Sequence, residues 1–322
     1  MNEQTETMDD SMSPPQVQTL EVPCAPLRPQ DRIRDAVVPQ AGCSTCGSGA
    51  NGGASPAGAA VMSFIYAIGH VETRFPNLGV EKEFAQATAR TETEGMTDQQ
   101  AFHAVLSARE NRYLARQLCW VLSIQGLDTY LLLPRDPADI ELLIESIRPV
   151  PSPNDLDVVI GTRGPIASPE YCNGLTLPFA VLDQMYSFDR DTLIQAIPRP
   201  ERATAAQFAP AAEELFARIM QLTDNAGATN EHRALNYLVM RYPAIYSKVA
   251  EQFSHDFSLS RVDVRHSSLS ATRNIVDVIF AFTNRNTDYT EKFYVRVDVT
   301  EEFPFLVTKL SPYYNRDIGG VE

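Results

Sequence analysis

The sequence predicts an α+β fold in which helices pack on mainly antiparallel sheets, preceded by a disordered N-terminal tail. Three observations predict it. A helical pattern changes to strand alternation within residues 110–136, and several alternating strands follow one another near the C-terminus. Residues 1–61 contain no aromatic residue, so they cannot bury enough apolar surface to offset the entropy of ordering.

Residues 110–136 form the predicted centre of the fold. After a helix, Trp120, Leu122 and Ile124 alternate with the residues between them, which is the period of a strand. Turn-forming residues occupy 125–128, and 129–133 return as a second strand. The stretch therefore predicts a helix followed by a β-hairpin, with Trp120, the only tryptophan, in the core.

Helix signals surround this centre. Thr97 and Gln100 have the spacing of a capping box, and apolar residues at core-facing positions predict one helix from there through Leu118. Asp136 followed by proline predicts another helix start. We also predict a strand at 156–161, an irregular loop at 162–173 and a strand broken by Pro178 at 175–185.

The domain organisation follows from a proline-rich break at 198–204. It separates two predicted subdomains, about 62–197 and 208–316, of one domain spanning 62–322. The second contains helical patterns at 210–222, 229–242 and 244–253. Strands are predicted at 260–266, 274–283, 291–300 and 305–310.

Composition limits the function classes. The formal net charge is −14, so the surface repels phosphate and nucleic acid is not an expected partner. No run of 18 apolar residues predicts a membrane-spanning helix, and the acidic N-terminus lacks the pattern of a secretory signal. Five cysteines in 322 residues are not a disulfide framework. We therefore expect a cytoplasmic protein with reduced thiols.

Cysteines provide the candidate metal ligands. The linker that ends the tail contains Cys43 and Cys46 at the spacing of a redox or metal-binding pair, or of two thiols with no fixed role. Cys119 and Cys172 could meet in the folded domain. Two thiolates are too few for structural zinc, but a homodimer could supply four; alternatively, Cys119 is a small core residue.

Catalytic signals are weak. The sequence has no nucleophile elbow, P-loop, dinucleotide-binding glycine motif or HExxH zinc motif. His70 follows a glycine in a predicted strand and could line a pocket with Trp120, while His232 near a helix start is a weak candidate base. Residue chemistry alone identifies no active site.

A family resemblance supplies the functional context. The blocks at 64–71, 74–78, 80–86, 111–120 and 132–139 resemble the C-terminal domain of unknown function in PatG-type cyanobactin maturation proteases. The similarity continues through 157–161, 172–174, 186–190, 223–229, 233–237, 282–288 and 293–314. The Cys/Gly-rich linker within 1–61 also resembles the segment that precedes the domain in that family.

The resemblance implies a role in making ribosomally synthesised, post-translationally modified peptides. The family proteases carry a subtilisin-like domain ahead of this one, and the 61 residues here cannot hold an Asp…His…Ser protease. We therefore expect an accessory, non-catalytic protein that binds the precursor peptide or maturation enzymes. The alternative is a peptide-modifying enzyme with an unrecognised site, for which His70, Arg74, Glu81 and His232 are the first residues to test.

Overall fold

Two β-sheets and the helices around them make up the structure, a computed structural model that describes residues 63–91, 93–199, 205–222, 224–268 and 272–314. The predicted tail at 1–61, with Cys43 and Cys46, lies outside these residues. Within the described ranges, helices and antiparallel strands combine as the α+β prediction states.

The first sheet is a closed five-stranded barrel with strand order β1-β2-β3-β5-β4. Its strands are β1 (Ser63–Arg74), β2 (Cys119–Ile124), β3 (Leu127–Pro134), β4 (Asp155–Ile166) and β5 (Pro178–Asp189). Four of the five pairings are antiparallel, and β3 pairs with β5 in parallel. Barrel closure and the parallel pair are features that the sequence reading did not predict.

The predicted hairpin is confirmed as β2 and β3. Trp120 lies opposite Leu132 and Leu122 opposite Tyr130, and these side chains fill the barrel core. The tight turn needs the left-handed region at both central residues, where Gln125 has φ 53° and Gly126 φ 79°.

Four helices cover this core: α1 (Leu78–Arg90), α2 (Asp98–Ser107), α3 (Arg112–Gln117) and α4 (Ile140–Ser146). The capping box of Thr97 and Gln100 is present. However, the single helix predicted through Leu118 is wrong, because the chain turns at Ala108 and a 3₁₀ turn precedes α3. The buried Asn111 side chain holds this break by donating to the Val105 carbonyl at 3.0 Å.

The strand boundaries before and after 162–177 also differ from prediction. β4 continues to Ile166, so much of the expected loop is strand. β5 begins at Pro178, where the missing amide hydrogen costs no ladder bond. The proline thus starts the strand and does not break it.

The second half combines four helices with a four-stranded antiparallel sheet in the order β6-β7-β8-β9. The helices are α5 (Arg190–Ala196), α6 (Ala205–Met220), α7 (Asn230–Arg241) and α8 (Ala244–Ser254). The strands are β6 (Phe257–His266), β7 (Ile275–Asn284), β8 (Thr290–Asp298) and β9 (Phe305–Pro312). Among the described helices, none combines the length and apolar character needed to cross a membrane.

One hydrophobic core joins the two halves. Tyr66 and Ile160, on the outside of the barrel, pack in the same cluster as Leu215 of α6, Leu235 of α7 and Phe280 of β7. The predicted subdomains 62–197 and 208–316 therefore share one apolar interior. Each half covers apolar surface of the other that would otherwise face solvent.

The loop before α7 completes the barrel where β1 lacks a neighbour. β1 pairs with β4 over residues 63–69 and with β2 only over 70–74, so within the described part of the chain one edge of its first half has no neighbouring strand. The Tyr66 amide donates to the Gly227 carbonyl at 2.9 Å, and Asn236 Nδ2 donates to the Tyr66 carbonyl at 2.7 Å. Asn225 and Asn236 are also hydrogen-bonded to each other at 2.7 Å.

We predict that Gly227→Ala destabilises the protein far more than Gly126→Ala. Both glycines have positive φ, 71° and 79°, which alone costs alanine about 1–2 kcal/mol. A Cβ at position 227 would also lie 2.4 Å from the Tyr66 oxygen, whereas at 126 it would meet no atom within 4 Å. Urea denaturation should give a loss of roughly 3 kcal/mol or more for Gly227→Ala. Equal losses would contradict this close approach.

Candidate functional site

The first candidate site is a cleft of 420 Å³, here called the disulfide cleft. The end of β1 supplies Arg74, the start of α1 supplies Leu78 and Glu81, and the loop before β5 supplies Cys172. Its full lining is Arg74, Phe75, Asn77, Leu78, Glu81, Cys172, Asn173 and Leu175. The volume is within the range of small-ligand sites.

Local capping and aromatic packing fix this cleft. Asn77 caps α1 by accepting a hydrogen bond from the Val80 amide at 3.1 Å. Phe75 packs edge-on against Phe84 with 5.5 Å between ring centroids. Leu78 remains 60 % exposed, so the cleft presents an apolar side chain as well as the guanidinium of Arg74 and the carboxylate of Glu81.

Cys119 and Cys172 form a disulfide beside the cleft, which differs from the expectation of reduced thiols. Both residues are almost fully buried. The position of Cys119 therefore agrees with the alternative that it is a small core residue. While bonded to each other, the two sulfurs cannot act as thiolate ligands. Within the described residues no group of three or more His, Cys, Asp or Glu side chains is placed to hold a metal. Zinc in a dimer of the reduced chain stays a prediction.

The second candidate site is a cleft of 460 Å³ beside the β2–β3 turn, here called the turn cleft. Its polar groups include Arg163 and Asp224, and the Tyr130 hydroxyl donates to the Ala226 carbonyl at 2.9 Å. Burial raises the pKa of Tyr130, so its phenol stays protonated. The lining is Ile124, Gln125, Leu127, Asp128, Thr129, Tyr130, Arg163, Pro178, Asp224, Asn225, Ala226 and Ala228.

An ion pair lies between the two clefts. Arg74 of the disulfide cleft donates to Asp128 of the turn cleft at 3.3 Å and lies 2.8 Å from Glu72. The Arg74 side chain is 42 % exposed, and pairs of this kind contribute roughly 0–1 kcal/mol. A ligand that spans both clefts could therefore replace part of this pair at little cost.

The structure brings only some predicted site residues together. Arg74 and Glu81 share the disulfide cleft with Cys172. His70 faces Ser123 in the barrel wall, and Trp120 is buried with its indole N–H donating to the Ala115 carbonyl at 2.9 Å. These two residues line neither cleft.

His232 also lies outside both clefts, in the first turn of α7. Burial lowers its pKa despite the nearby carboxylates of Glu231 and Asp224, so the neutral imidazole is favoured. Its Nδ1 atom is buried and has no hydrogen-bond partner in the described part of the chain.

Asp157 is a buried carboxylate that the sequence pattern assigns to the start of a strand. Its carboxylate is 5 % exposed, accepts a hydrogen bond from the Val71 amide at 2.8 Å and accepts another from Ser187. Burial raises its pKa, while these hydrogen bonds oppose that effect. The sequence signal for this burial is an aspartate within the apolar run LDVVIG.

A feature that sequence reasoning missed is the carboxyl pair of Asp183 and Glu302. The two groups come from β5 and from the loop after β8, so no local pattern predicts their meeting. Burial and the hydrogen bond with Asp183 raise the pKa of Glu302 to about 7, against the opposing effect of Arg135 and Arg233. Arg135 also pairs with Asp183 at 2.8 Å.

We predict that Glu302→Gln reduces the pH dependence of stability. The pKa of Glu302 is 4.5 ordinarily and about 7 in the fold, so between these values the folded state holds a proton that the unfolded state has lost. Wild-type stability therefore falls as pH rises through this window. When melting temperatures are measured at pH 5, 6, 7 and 8, the melting temperature of the variant should increase relative to that of wild type as pH rises. Glu301→Gln is the neighbouring control; parallel curves for all three proteins would refute the prediction.

We also predict that the disulfide contributes strongly to stability. Its two cysteines are 53 residues apart, and closing a loop of that length stabilises a protein by about 4 kcal/mol in the chain-entropy treatment. Denaturation in urea with and without dithiothreitol should show this difference for wild type. The Cys119→Ala/Cys172→Ala double variant should be insensitive to the reductant. A wild type that is equally insensitive would show that the bond does not contribute.

Comparisons with known proteins agree with this architecture. The PatG Domain family matches residues 64–265, which is more than half of the chain. A solved structure titled "PatG Domain of Unknown Function" is similar with a TM-score of 0.64 and 19 % identity, covering 78 % of this chain and 98 % of that one. No curated protein sequence matches. The chain thus belongs to the PatG domain family, whose function is unknown and which is linked to cyanobactin biosynthesis.

Proposed function

We propose that the chain is an accessory, non-catalytic protein of peptide maturation that binds an extended segment of a precursor peptide. The observation that carries the proposal is the pair of adjoining clefts, of 420 and 460 Å³, that meet at the exposed Arg74–Asp128 ion pair. Two neighbouring clefts with polar groups between them suit a chain whose side chains enter each cleft in turn.

The clefts combine apolar and charged groups in a way that suits a peptide. Phe75, Leu78 and Leu175 give the disulfide cleft an apolar lining, while Leu127 and Tyr130 contribute to the turn cleft. The charged groups at the clefts can then bind the polar groups of the peptide main chain and its charged side chains.

Family context supports the same site. The stretches 74–78, 80–86 and 172–174, which resemble the PatG domain, all contribute residues to the disulfide cleft. The stretch 223–229 contributes Asp224, Asn225, Ala226 and Ala228 to the turn cleft. Maturation of cyanobactins acts on a peptide, so a peptide is the natural ligand for a site built from these stretches.

The proposal predicts that exposed leucines in the clefts contribute to affinity. Leu78 and Leu127 are 60 % and 72 % exposed, so replacement by serine should leave the fold intact. Burying either leucine under a peptide is worth about 1–2 kcal/mol when partial, so Leu78→Ser and Leu127→Ser should each raise Kd roughly 5- to 30-fold. Isothermal calorimetry with the full chain and the pathway's precursor peptide measures this.

Val150→Ser is the matched control, because Val150 is also 72 % exposed but lines neither cleft. Its Kd should equal that of wild type. Absence of precursor binding, or equal weakening by all three substitutions, would refute the proposal. Mass spectrometry of the recovered peptide tests the enzymatic alternative: we expect an unchanged mass, and a changed mass would show that the chain modifies its ligand.

A further inference from the structure

The four-stranded sheet has one face on which none of the described helices packs. On β7, Val276, Val278 and Phe280 point into the shared core, so the residues between them point to the opposite side. Residues directly opposite one another on neighbouring strands share a face. The charged side chains that this pairing places on the outer sheet face are Arg261, Asp263, Arg265, Asp277, Lys292, Arg296 and Asp298.

A layer of arginine and tyrosine side chains crosses this face. Arg265 of β6 lies over the ring of Tyr313, which follows β9, with 5.0 Å between guanidinium carbon and ring centroid. Because β6 and β9 are opposite edges of the sheet, this contact passes over β7 and β8. Tyr294 packs 5.6 Å from Tyr313, and Arg296 lies 5.1 Å over Tyr294. Ile279 lies directly opposite Tyr294 of this layer and is only 2 % exposed.

The outer sheet face is positively charged on an acidic chain. Its strands carry four basic and three acidic residues, and Arg273 before β7 pairs with Asp298, whereas the whole chain has a formal net charge of −14. Arg296 pairs with Asp277 at 2.9 Å, and Arg261 pairs with Asp263. Arg265 and Lys292 have no carboxylate partner among the residues that the structure describes, and both are exposed.

We propose that the outer sheet face binds an extended, acidic peptide segment of a partner protein. A flat sheet face accommodates an extended chain, and arginine and tyrosine are the residue types that contribute most at protein interfaces. The partner's carboxylates would meet Arg265 and Lys292, and its aliphatic groups would lie on the tyrosine rings. This surface is separate from the two clefts and does not depend on what they bind.

The charge distribution of the chain favours an acidic peptide over nucleic acid as the ligand of the outer sheet face. Electrostatic attraction extends only about 8–10 Å at moderate salt, so a short acidic peptide interacts mainly with the local positive charge. A long polyanion would extend beyond the face onto a chain whose net charge repels it. The face therefore favours carboxylates carried by a short segment.

The test uses the full chain and a fluorescein-labelled dodecapeptide in which glutamate alternates with leucine, followed by fluorescence anisotropy. The face variant is Arg261→Glu/Arg265→Glu/Lys292→Glu. The matched control is Lys82→Glu/Arg109→Glu/Arg116→Glu, which changes net charge equally at exposed positions outside the sheet. Circular dichroism confirms that both variants are folded.

We expect the face variant to raise the peptide's Kd at least tenfold and the control variant to change it less than twofold. A peptide with glutamine in place of glutamate should bind at least tenfold more weakly to wild type. Equal weakening in both variants, or no binding of the glutamate peptide to wild type, would overturn the proposal. Tighter binding of a dodecathymidine strand than of the peptide would also overturn it, in favour of nucleic acid.

Discussion

The structure depends on how the unpaired half of β1 is completed. A strand edge exposes amide and carbonyl groups that need partners when they are buried, and here a loop from the second half supplies them. Gly227 allows backbone-to-backbone approach, and Asn236 provides the side-chain donor. The same contact brings residues 224–228 beside the β2–β3 turn, so the turn cleft exists because the barrel is completed by a loop and not by a sixth strand.

Local patterns predicted most elements of this fold but not how they assemble. The period of two around Trp120 and the capping box at Thr97 are short-range signals, and both were correct. The break at Ala108 depends on the buried Asn111 side chain, a tertiary contact that helix periodicity does not reveal. Barrel closure requires β3 and β5, which are some fifty residues apart in the chain, to pair in parallel. A single sequence does not indicate which residues lie opposite each other in such a pairing.

The candidate site was predictable only in part, for the same physical reason. Arg74 and Glu81 are close in sequence, so their common cleft follows from a strand that leads directly into a helix. Cys119 and Cys172 were recognised as residues that could meet, although a disulfide was not expected. The carboxyl pair of Asp183 and Glu302 comes from distant segments, and its shared environment arises only when the two halves dock.

The shared core has a consequence for where this domain ends. The family match stops at residue 265, one residue before β6 ends, whereas the sheet continues through β9 to Pro312. β7 is buried on both of its faces, so a chain cut at 265 would leave β6 without a neighbour and uncover the outside of the barrel. The region that the family model matches is therefore shorter than the unit that can fold, and strands β7, β8 and β9 belong to the same cooperative structure.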